Sequence, residues 1–377
     1  MTFKLHHFPF LAAVAAFALA ACGAAPAQSW AGVTVSTEAS TAYIADGTHL
    51  YALNTNDGTV RWQLPPQSSG GFLGGLFGGG TDSGVNLGSV FADPVLVDDT
   101  LIVTSFNKSV FALDAVNGTL QWTFSESKDR LIAPAAVYGD TIYVASADNS
   151  LYALDMSGQR KWAFTTQNGL WGAALPTEDV VYMPSMDKNL YAVDAATGIE
   201  LWHVELDGAI AGTPALSVDG KTIFVGTLSD TLYALSTEDG AERWTVEATG
   251  WVWGTPLVTE ATIYFGDLQG SVFAVDVVEG NTVWNKELGG SIRAKFALSD
   301  DTLIVPSDDI ATGIVYALNA VDGSILWQKV IDDRNADRLL ANPVIVGEVV
   351  LIVPITADKL VYALDVATGD VRWTFDQ

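Results

Sequence analysis

Four residues of this sequence have the chemistry needed to hold a flat anionic ligand: Trp171, Trp253, Arg293 and Lys295. Indole faces stack on planar rings, and guanidinium and ammonium groups pair with anions. These residues lie far apart in the chain, so they can act together only if the fold brings equivalent positions to one point. The alternative is that they simply fill the centre of the fold, and this is the interpretation we favour.

The two tryptophans and the two cations occupy equivalent positions in repeated segments of the chain. Trp171, Trp253 and Arg293 each precede a small residue, and Lys295 follows one. The first set of aligned positions is Phe91, Ile132, Trp171, Ala211, Trp253, Arg293 and Leu340. The second set, two residues further along, is Asp93, Pro134, Ala173, Thr213, Thr255, Lys295 and Asn342. Side chains two apart in a strand share a face. We therefore expect a ring of axial residues in which Asp93 and Asn342 join the four residues above as candidate ligand or partner contacts.

Other candidates for catalysis are weak. The acids Asp308 and Asp309 stand in an irregular segment and could act as a general base or hold a cation, but paired acids in so acidic a chain are usually solvated. The histidines His49 and His203 occupy dissimilar positions, and the chain lacks EF-hand, H-E-x-x-H and G-x-S-x-G patterns. We expect no metal site, no histidine-based triad and no catalytic residue.

The elements that would position the axial residues come from one unit that recurs eight times. Each copy has an aromatic residue, then Ala, a polar residue two positions later, and a Gly four residues before a Trp; the third copy is one residue short. The copies end at Trp62, Trp122, Trp162, Trp202, Trp244, Trp284, Trp327 and Trp373. Their spacings of 60, 40, 40, 42, 40, 43 and 46 residues leave no room for helices between strands.

Each unit predicts four antiparallel strands. Alternating apolar residues favour a strand, and the Asp or Asn with the Gly favours a tight turn before the strand that ends in Trp. Further strands are expected ahead of the hairpin, for example Thr222 to Thr227 and, before it, Ala211 to Val218. Twisted sheets with two apolar faces are buried by stacking around an axis. The fold class predicted is all-β, an eight-bladed propeller over residues 30–377; a linear solenoid is the alternative.

The repeat resembles the tryptophan-docking motif A-x-D-x-x-T-G-x-x-x-W of quinoprotein-type (PQQ-like) propellers. The last copy matches it fully, with Ala363, Asp365, Thr368, Gly369 and Trp373. In that family each tryptophan packs flat against the neighbouring blade, so the resemblance implies a structural docking role for all eight. WD repeats are disfavoured because no Asp follows any of these tryptophans.

The same resemblance is shared by quinone-dependent dehydrogenases and by non-catalytic propellers such as the BamB-type outer-membrane assembly lipoproteins. The dehydrogenases are longer, and many hold their quinone against a disulfide that a chain with one cysteine cannot supply. The layout is closest to the BamB type. We therefore expect no cofactor, with PQQ as the alternative, and we carry over no partner-contacting residue because no local motif matches.

The N-terminus predicts export. An apolar run from Phe8 to Ala21 is too short to span a bilayer and follows Lys4, as in a secretory signal over residues 1–21. It ends in Leu19-Ala20-Ala21-Cys22-Gly23, which resembles a bacterial lipobox and predicts lipidation of Cys22. Residues 22–29 then form a tether. We expect an outer-membrane location facing the periplasm if the cell has that membrane, and otherwise the outer cell surface.

One connection is much longer than the others. Residues 65–88 form a glycine-rich insertion that carries Phe72, Leu73, Leu76 and Phe77, which could dock on a partner or fold back on the blade. A shorter insertion from Asp332 to Asp337 brings Arg334 and Arg338 close together in sequence. Both are candidate partner contacts.

Charge excludes one class of partner. Without the predicted signal the chain has 17 basic and 44 acidic residues, so its net charge is 17 − 44 = −27. Such a surface repels nucleic acid and anionic headgroups, so membrane attachment must depend on the lipid. We expect a monomeric, non-catalytic envelope lipoprotein that binds one or more proteins through a propeller face or the 65–88 loop. A small PQQ-dependent dehydrogenase and a carbohydrate- or surface-binding propeller are the alternatives.

Overall fold

The computed structural model describes residues 32–36, 38, 40–66, 85–308, 312–331, 339–355 and 359–376. These residues form eight four-stranded antiparallel sheets, and each sheet takes its four strands in chain order. The predicted eight-bladed propeller is confirmed. The Cys22 lipidation residue and the apolar residues of the 65–88 insertion lie outside the described residues, as do Asp309, Arg334 and Arg338.

The first four blades run from Gly32 to Glu205. Their strands are β1 Gly32–Ser36, β2 Thr41–Asp46, β3 His49–Asn54, β4 Val60–Leu64, β5 Val95–Val97, β6 Thr100–Thr104, β7 Val110–Asp114, β8 Leu120–Phe124, β9 Ala136–Tyr138, β10 Thr141–Ala145, β11 Ser150–Asp155, β12 Arg160–Thr165, β13 Leu175–Pro176, β14 Val180–Pro184, β15 Asn189–Asp194 and β16 Glu200–Glu205.

The last four blades run from Ala215 to Phe375. Their strands are β17 Ala215–Leu216, β18 Thr222–Gly226, β19 Thr231–Ser236, β20 Glu242–Glu247, β21 Leu257–Val258, β22 Thr262–Gly266, β23 Ser271–Asp276, β24 Thr282–Glu287, β25 Ala297–Ser299, β26 Thr302–Asp308, β27 Gly313–Asn319, β28 Ile325–Ile331, β29 Val344–Val346, β30 Val349–Ile352, β31 Val361–Asp365 and β32 Val371–Phe375.

The innermost strands are shorter than the sequence predicted. The expected strand from Ala211 to Val218 is reduced to β17, Ala215–Leu216. Pro214 has no backbone N–H to donate to a ladder, and the residues before it lie along the axis against the neighbouring blade rather than within their own sheet. The residues at the axis are therefore held by contacts between blades.

The repeated motif builds the same turn in every blade. In the second blade, Asp114 Oδ1 accepts hydrogen bonds from the backbone N–H of Val116 (2.9 Å) and Asn117 (3.0 Å), and Gly118 has a φ of +75°. The ladder then shifts register after the motif Ala, here between Ala112 and Leu113. A glycine accepts this left-handed conformation without a Cβ clash. The shift places each motif Ala opposite the Trp of its own blade.

Each motif Trp packs on the turn glycine of the next blade. A Cβ added to Gly118 would lie 2.9 Å from the Trp62 ring, and the same relation recurs around the disc. The last contact joins the two ends of the chain, because the Trp373 ring covers Gly58, and its indole N–H donates to the Thr55 carbonyl at 3.0 Å. The disc is therefore closed, which excludes the linear solenoid.

Closure does not require a strand shared between the chain ends. The first and last blades instead share an apolar cluster that includes Val33, Ile44 and Leu351, and the Tyr51 and Phe375 rings meet edge to face at 5.5 Å. Similar buried clusters fill the other spaces between blades. The core is thus a set of interfaces between sheets, as expected of a propeller.

The disc has two faces that differ in their connections. We call the turn face the side that holds the turns between the first and second strands and between the third and fourth strands of each blade. The connection face is the opposite side, with the hairpins between second and third strands and the links from each outer strand to the next inner strand. The described parts of the two longest links belong to the connection face: residues 65–66 and 85–94 in one, and residues 339–343 in the other.

Candidate functional site

All fourteen aligned axial positions meet around one cavity. It encloses about 120 Å³, and both predicted sets of residues contribute to its wall. The inner strands run from the connection face towards the turn face, so the set containing Trp171 and Arg293 lies nearer the connection face than the set containing Asp93 and Asn342. The structure therefore brings the aligned positions of seven of the eight blades together at the axis.

The aromatic and cationic residues come together in this cavity, where Trp171, Trp253 and Arg293 already have partners and Lys295 is exposed. Trp171 and Trp253 contact each other, with ring centroids 6.1 Å apart and tilted by 46°. Arg293 Nη1 donates to Asp308 Oδ2 at 2.9 Å, and only 9% of the Asp308 side chain is exposed. The expectation that Asp308 lies in an irregular loop is wrong: it ends β26 and pairs with Gly313, because blade seven has longer strands.

Hydrogen bonds connect four blades at the axis. The backbone N–H of Lys295 donates to Asn342 Oδ1 at 2.8 Å, and Asn342 Nδ2 donates to Asp93 Oδ2 at 2.7 Å. Asp93 Oδ1 accepts the N–H of Val33 at 3.0 Å. A similar bond joins the Ala173 N–H to Thr213 Oγ1 at 3.0 Å. These polar side chains thus satisfy backbone groups of neighbouring inner strands, which costs less than leaving them unpaired.

The first blade contributes to the axis through residues that carried no chemical signal. A Cβ on Gly32 would lie 2.6 Å from the Asp93 backbone, so only glycine permits this approach. Extending the alignment of small residues to the first blade would have found Gly32 and, one residue on, Val33. Burial raises the pKa of Asp93, while the bonds from Asn342 and Val33 and the nearby charge of Lys295 act in the opposite direction.

The two histidines lie on the blades, away from the axis. His49 stacks on Tyr51 with centroids 5.9 Å apart, and His203 contacts Glu200 at 2.7 Å on an outer strand. Within the described ranges, no group of three or more His, Cys, Asp or Glu side chains is arranged to hold a metal ion. The same ranges contain no helix with the length and apolar character of a membrane span.

Charge is distributed unequally between the two faces. Among the described residues, the turns of the turn face contain one basic residue, Lys221, and seventeen acidic ones. The acids are Glu38, Asp57, Asp98, Asp99, Asp140, Glu178, Asp179, Asp219, Glu238, Asp239, Glu260, Glu279, Asp300, Asp301, Asp322, Glu348 and Asp370. Most of the negative charge of the loops therefore lies on this side.

The described loops of the connection face are nearly neutral. These loops hold seven basic residues: Lys108, Lys128, Arg130, Lys188, Arg293, Lys295 and Lys359. They also hold eight acidic ones: Asp93, Glu126, Asp129, Asp148, Asp187, Asp207, Asp230 and Asp267. Several of these acids serve as local caps; Asp267, for example, is fully buried and accepts the N–H groups of Thr249, Gln269 and Ser271.

Asp148 shows how such a cap affects ionisation. Burial alone would raise its pKa, but hydrogen bonds from the Lys128 N–H (2.7 Å), the Tyr152 hydroxyl (2.8 Å) and the Ser150 N–H (3.0 Å) outweigh burial and lower it. The same contact, with burial as the larger cause, raises the pKa of Tyr152 to about 12. The carboxylate form of Asp148 is therefore the form that the fold stabilises.

Replacing Tyr152 by Phe is expected to lower the free energy of unfolding by about 0.5–1.5 kcal/mol at pH 7, because one donor to Asp148 is lost. A lowered folded pKa contributes stability above the unfolded pKa, about 3.9 for Asp, and loses it as the pH falls through the folded value. The difference between wild type and variant should thus persist from pH 8 down to about pH 4 and shrink only as the pH falls below about 3.9 through the lowered folded value, in urea unfolding. Tyr138→Phe, at an exposed tyrosine, is the control and should show no change. A difference that disappears between pH 8 and pH 5 would contradict the ionic cap.

Comparison with known proteins decides the family. Residues 23–166 and 186–374 match the family described as "Outer membrane protein assembly factor BamB". The chain belongs to this family. A curated BamB from Yersinia pestis is 30% identical over 125 residues, which cover 30% of each chain. The match thus spans under a third of that relative's length.

Solved structures agree on the fold of this BamB-family chain. BamB from Moraxella catarrhalis superposes with a TM-score of 0.66 at 22% identity, covering 76% of this chain and 88% of that one. Quinohemoprotein alcohol dehydrogenase from Comamonas testosteroni gives the same TM-score, 0.66, at 15% identity, covering 76% and 67%. At these identities the likeness establishes the propeller alone.

Proposed function

We propose that this chain is a non-catalytic lipoprotein of the cell envelope whose propeller binds one or more other proteins, as a scaffold in outer-membrane protein assembly. The observation that carries the proposal is at the axis. Most of the charged groups that could bind or transform a ligand there have partners: Arg293 pairs with Asp308, and Asp93 pairs with Asn342, which leaves, among the described residues, only the exposed Lys295 ammonium facing the cavity. Family membership supports the same role, since the matched relatives are named as assembly factors.

The residues at the axis do not fit a quinone cofactor. A cavity of about 120 Å³ is smaller than the roughly 300–1,000 Å³ of typical small-molecule sites. Arg293, the cation in the same aligned set as Trp171 and Trp253, is paired with the buried carboxylate of Asp308. An anionic ring system that binds Arg293 would have to displace this ion pair. The Trp171–Trp253 contact also occupies space that a stacked ring would need.

Attachment to the membrane is the second part of the proposal. The lipobox-like Leu19-Ala20-Ala21-Cys22-Gly23 segment supports lipidation of Cys22, and the residue after the cysteine favours an outer-membrane location facing the periplasm. A single acyl signal holds a protein only weakly, whereas several chains on one residue hold it firmly. The lipid would keep the propeller at the membrane where assembly partners act.

Crosslinking in intact cells tests this function. The chain with Cys22 intact is expected to be recovered crosslinked to envelope proteins, identified by mass spectrometry, and to carry a lipid on that residue. Cys22→Ala should lose the lipid and most of the crosslinked partners while the propeller stays folded, which circular dichroism checks. Recovery of the intact, lipidated chain only as a lone species would overturn the scaffold role.

A further inference from the structure

We propose that the connection face of the disc faces the membrane, in contact with phospholipid headgroups, and that the turn face points away from it. This orientation rests on the lipid anchor at Cys22 proposed above. Two independent features of the molecule lead to it: the place where the N-terminal segment joins the propeller, and the unequal charge of the two faces.

The N-terminal segment joins the propeller at the axis, on the connection face. The first described strand begins at Gly32, which packs against the Asp93 backbone at the central cavity. From there β1 runs towards the turn face and reaches its turn after Ser36. The chain therefore enters the described propeller at Gly32, in the middle of the connection face and not at the rim.

The ten residues 22–31 are too few to let the turn face reach the bilayer. Fully extended, they span at most about 33–36 Å. To bring the turn face to the membrane, the segment would have to cross a blade, about 14 Å for three strand spacings, and then pass an outer strand of five or six residues, about 17–20 Å long. The loop layers on both faces add further length. The blade and the outer strand alone need about 31–34 Å, so the extended segment has almost no length left to pass the loops of both faces.

Electrostatics favours the same orientation. The turn-face loops carry seventeen acids and one base, whereas the described connection-face loops carry eight acids and seven bases. The rest of the sequence between those strands adds six acids and two bases, so the turn-face loops remain the more acidic set. Anionic headgroups repel an acidic surface and attract exposed lysines within about a Debye length. Lys128 and Arg130 lie in the link after β8 on the connection face, where Arg130 contacts Asp129 at 3.5 Å. This face therefore meets less repulsion from the lipid than the turn face does, and both features favour the same orientation.

The single cysteine allows a direct test with the purified chain. Residues 22–377 are coupled through Cys22 to a maleimide phospholipid in vesicles of phosphatidylethanolamine and phosphatidylglycerol that also contain a headgroup-diazirine lipid. After illumination, lipid-crosslinked peptides are mapped by mass spectrometry. We expect crosslinks in the connection-face segments 125–131, 166–170 and 206–210 and none in the turn-face segments 217–221, 237–241 and 277–281.

A lengthened tether is the matched control. Twenty Gly/Ser residues inserted between Ser29 and Trp30 remove the limit on reach, so turn-face crosslinks should appear on neutral phosphatidylcholine vesicles. On anionic vesicles at low salt they should stay scarce, because repulsion remains. Turn-face crosslinks with the natural tether, or an unchanged pattern with the long tether on neutral vesicles, would overturn the proposal. Because the coupling is chemical, either result is independent of whether cells lipidate Cys22.

Discussion

Replacing Trp284 by Ala is expected to lower the free energy of unfolding by about 3–5 kcal/mol, the largest effect of any single substitution considered for this propeller. Only 9% of this side chain is exposed. Its ring covers Gly323 of the next blade and lies 5.9 Å from the Tyr264 ring, and its indole N–H donates to the Ala320 carbonyl at 2.9 Å. The substitution removes a contact between two blades, leaving a cavity that rigid sheets cannot fill. Urea unfolding followed by circular dichroism measures the loss.

Trp244 provides a matched control for the hydrogen bond. It covers Gly280 in the same way, but its buried Nε1 has no hydrogen-bond partner among the described residues. Trp284→Phe should therefore cost about 1 kcal/mol more than Trp244→Phe, because only the first removes a satisfied donor. Trp244→Phe even relieves an unpaired polar group. Equal costs for the two Phe variants would contradict the role assigned to the indole bond.

The blades could be predicted from the sequence because every one uses the same local chemistry. The motif Ala must be small to lie opposite Trp, as Ala112 lies opposite Trp122, and the turn Gly must accept a positive φ and a covering ring. Those demands repeat with the period of the blade, so a count of motifs gives a count of blades. The axial positions followed for the same reason, since each is fixed relative to its motif.

Pairings across the axis could not be predicted in this way. Asp308 contacts Arg293 only because β26 and β27 are longer than their counterparts, and their length depends on pairing rather than on the motif. Asn342 reaches Asp93 past the first blade because Gly32 lets the inner strands approach closely. Long-range contacts between irregular segments carry no periodic signal. For this reason the sequence suggested an open guanidinium at Arg293, where the structure has an ion pair with Asp308.

The difference in charge between the two faces could also not be predicted from the net charge of the chain. A net charge of −26 suggests uniform acidity, yet the loops of the turn face hold seventeen acids and those of the connection face eight, within the part of the chain described. Once strand order assigns each loop to a face, the difference can be read directly. The strand order therefore shows that the acidic residues of the loops are concentrated on the turn face, which the net charge alone does not show.

Gly323→Ala is expected to cost about 2–4 kcal/mol, the second largest effect. Gly323 has a φ of +70°, which costs a residue with a Cβ about 1–2 kcal/mol. An added Cβ would also lie 2.7 Å from Cε3 of Trp284, so the ring and the blade that carries it must move. Overpacking of this kind adds about 1–3 kcal/mol, reduced by the lower entropy of the unfolded alanine chain.

Gly220 separates the two costs, since it has the same φ of +70° but no atom within 4 Å of an added Cβ. Gly220→Ala should therefore show the backbone cost alone, about 1 kcal/mol after the entropy gain. The difference between the two variants in urea unfolding measures the contact of a turn with the tryptophan of the preceding blade. If both variants lose the same stability, the tryptophans do not hold neighbouring blades together through these glycines, and the closure of the disc must depend on the apolar clusters between its sheets.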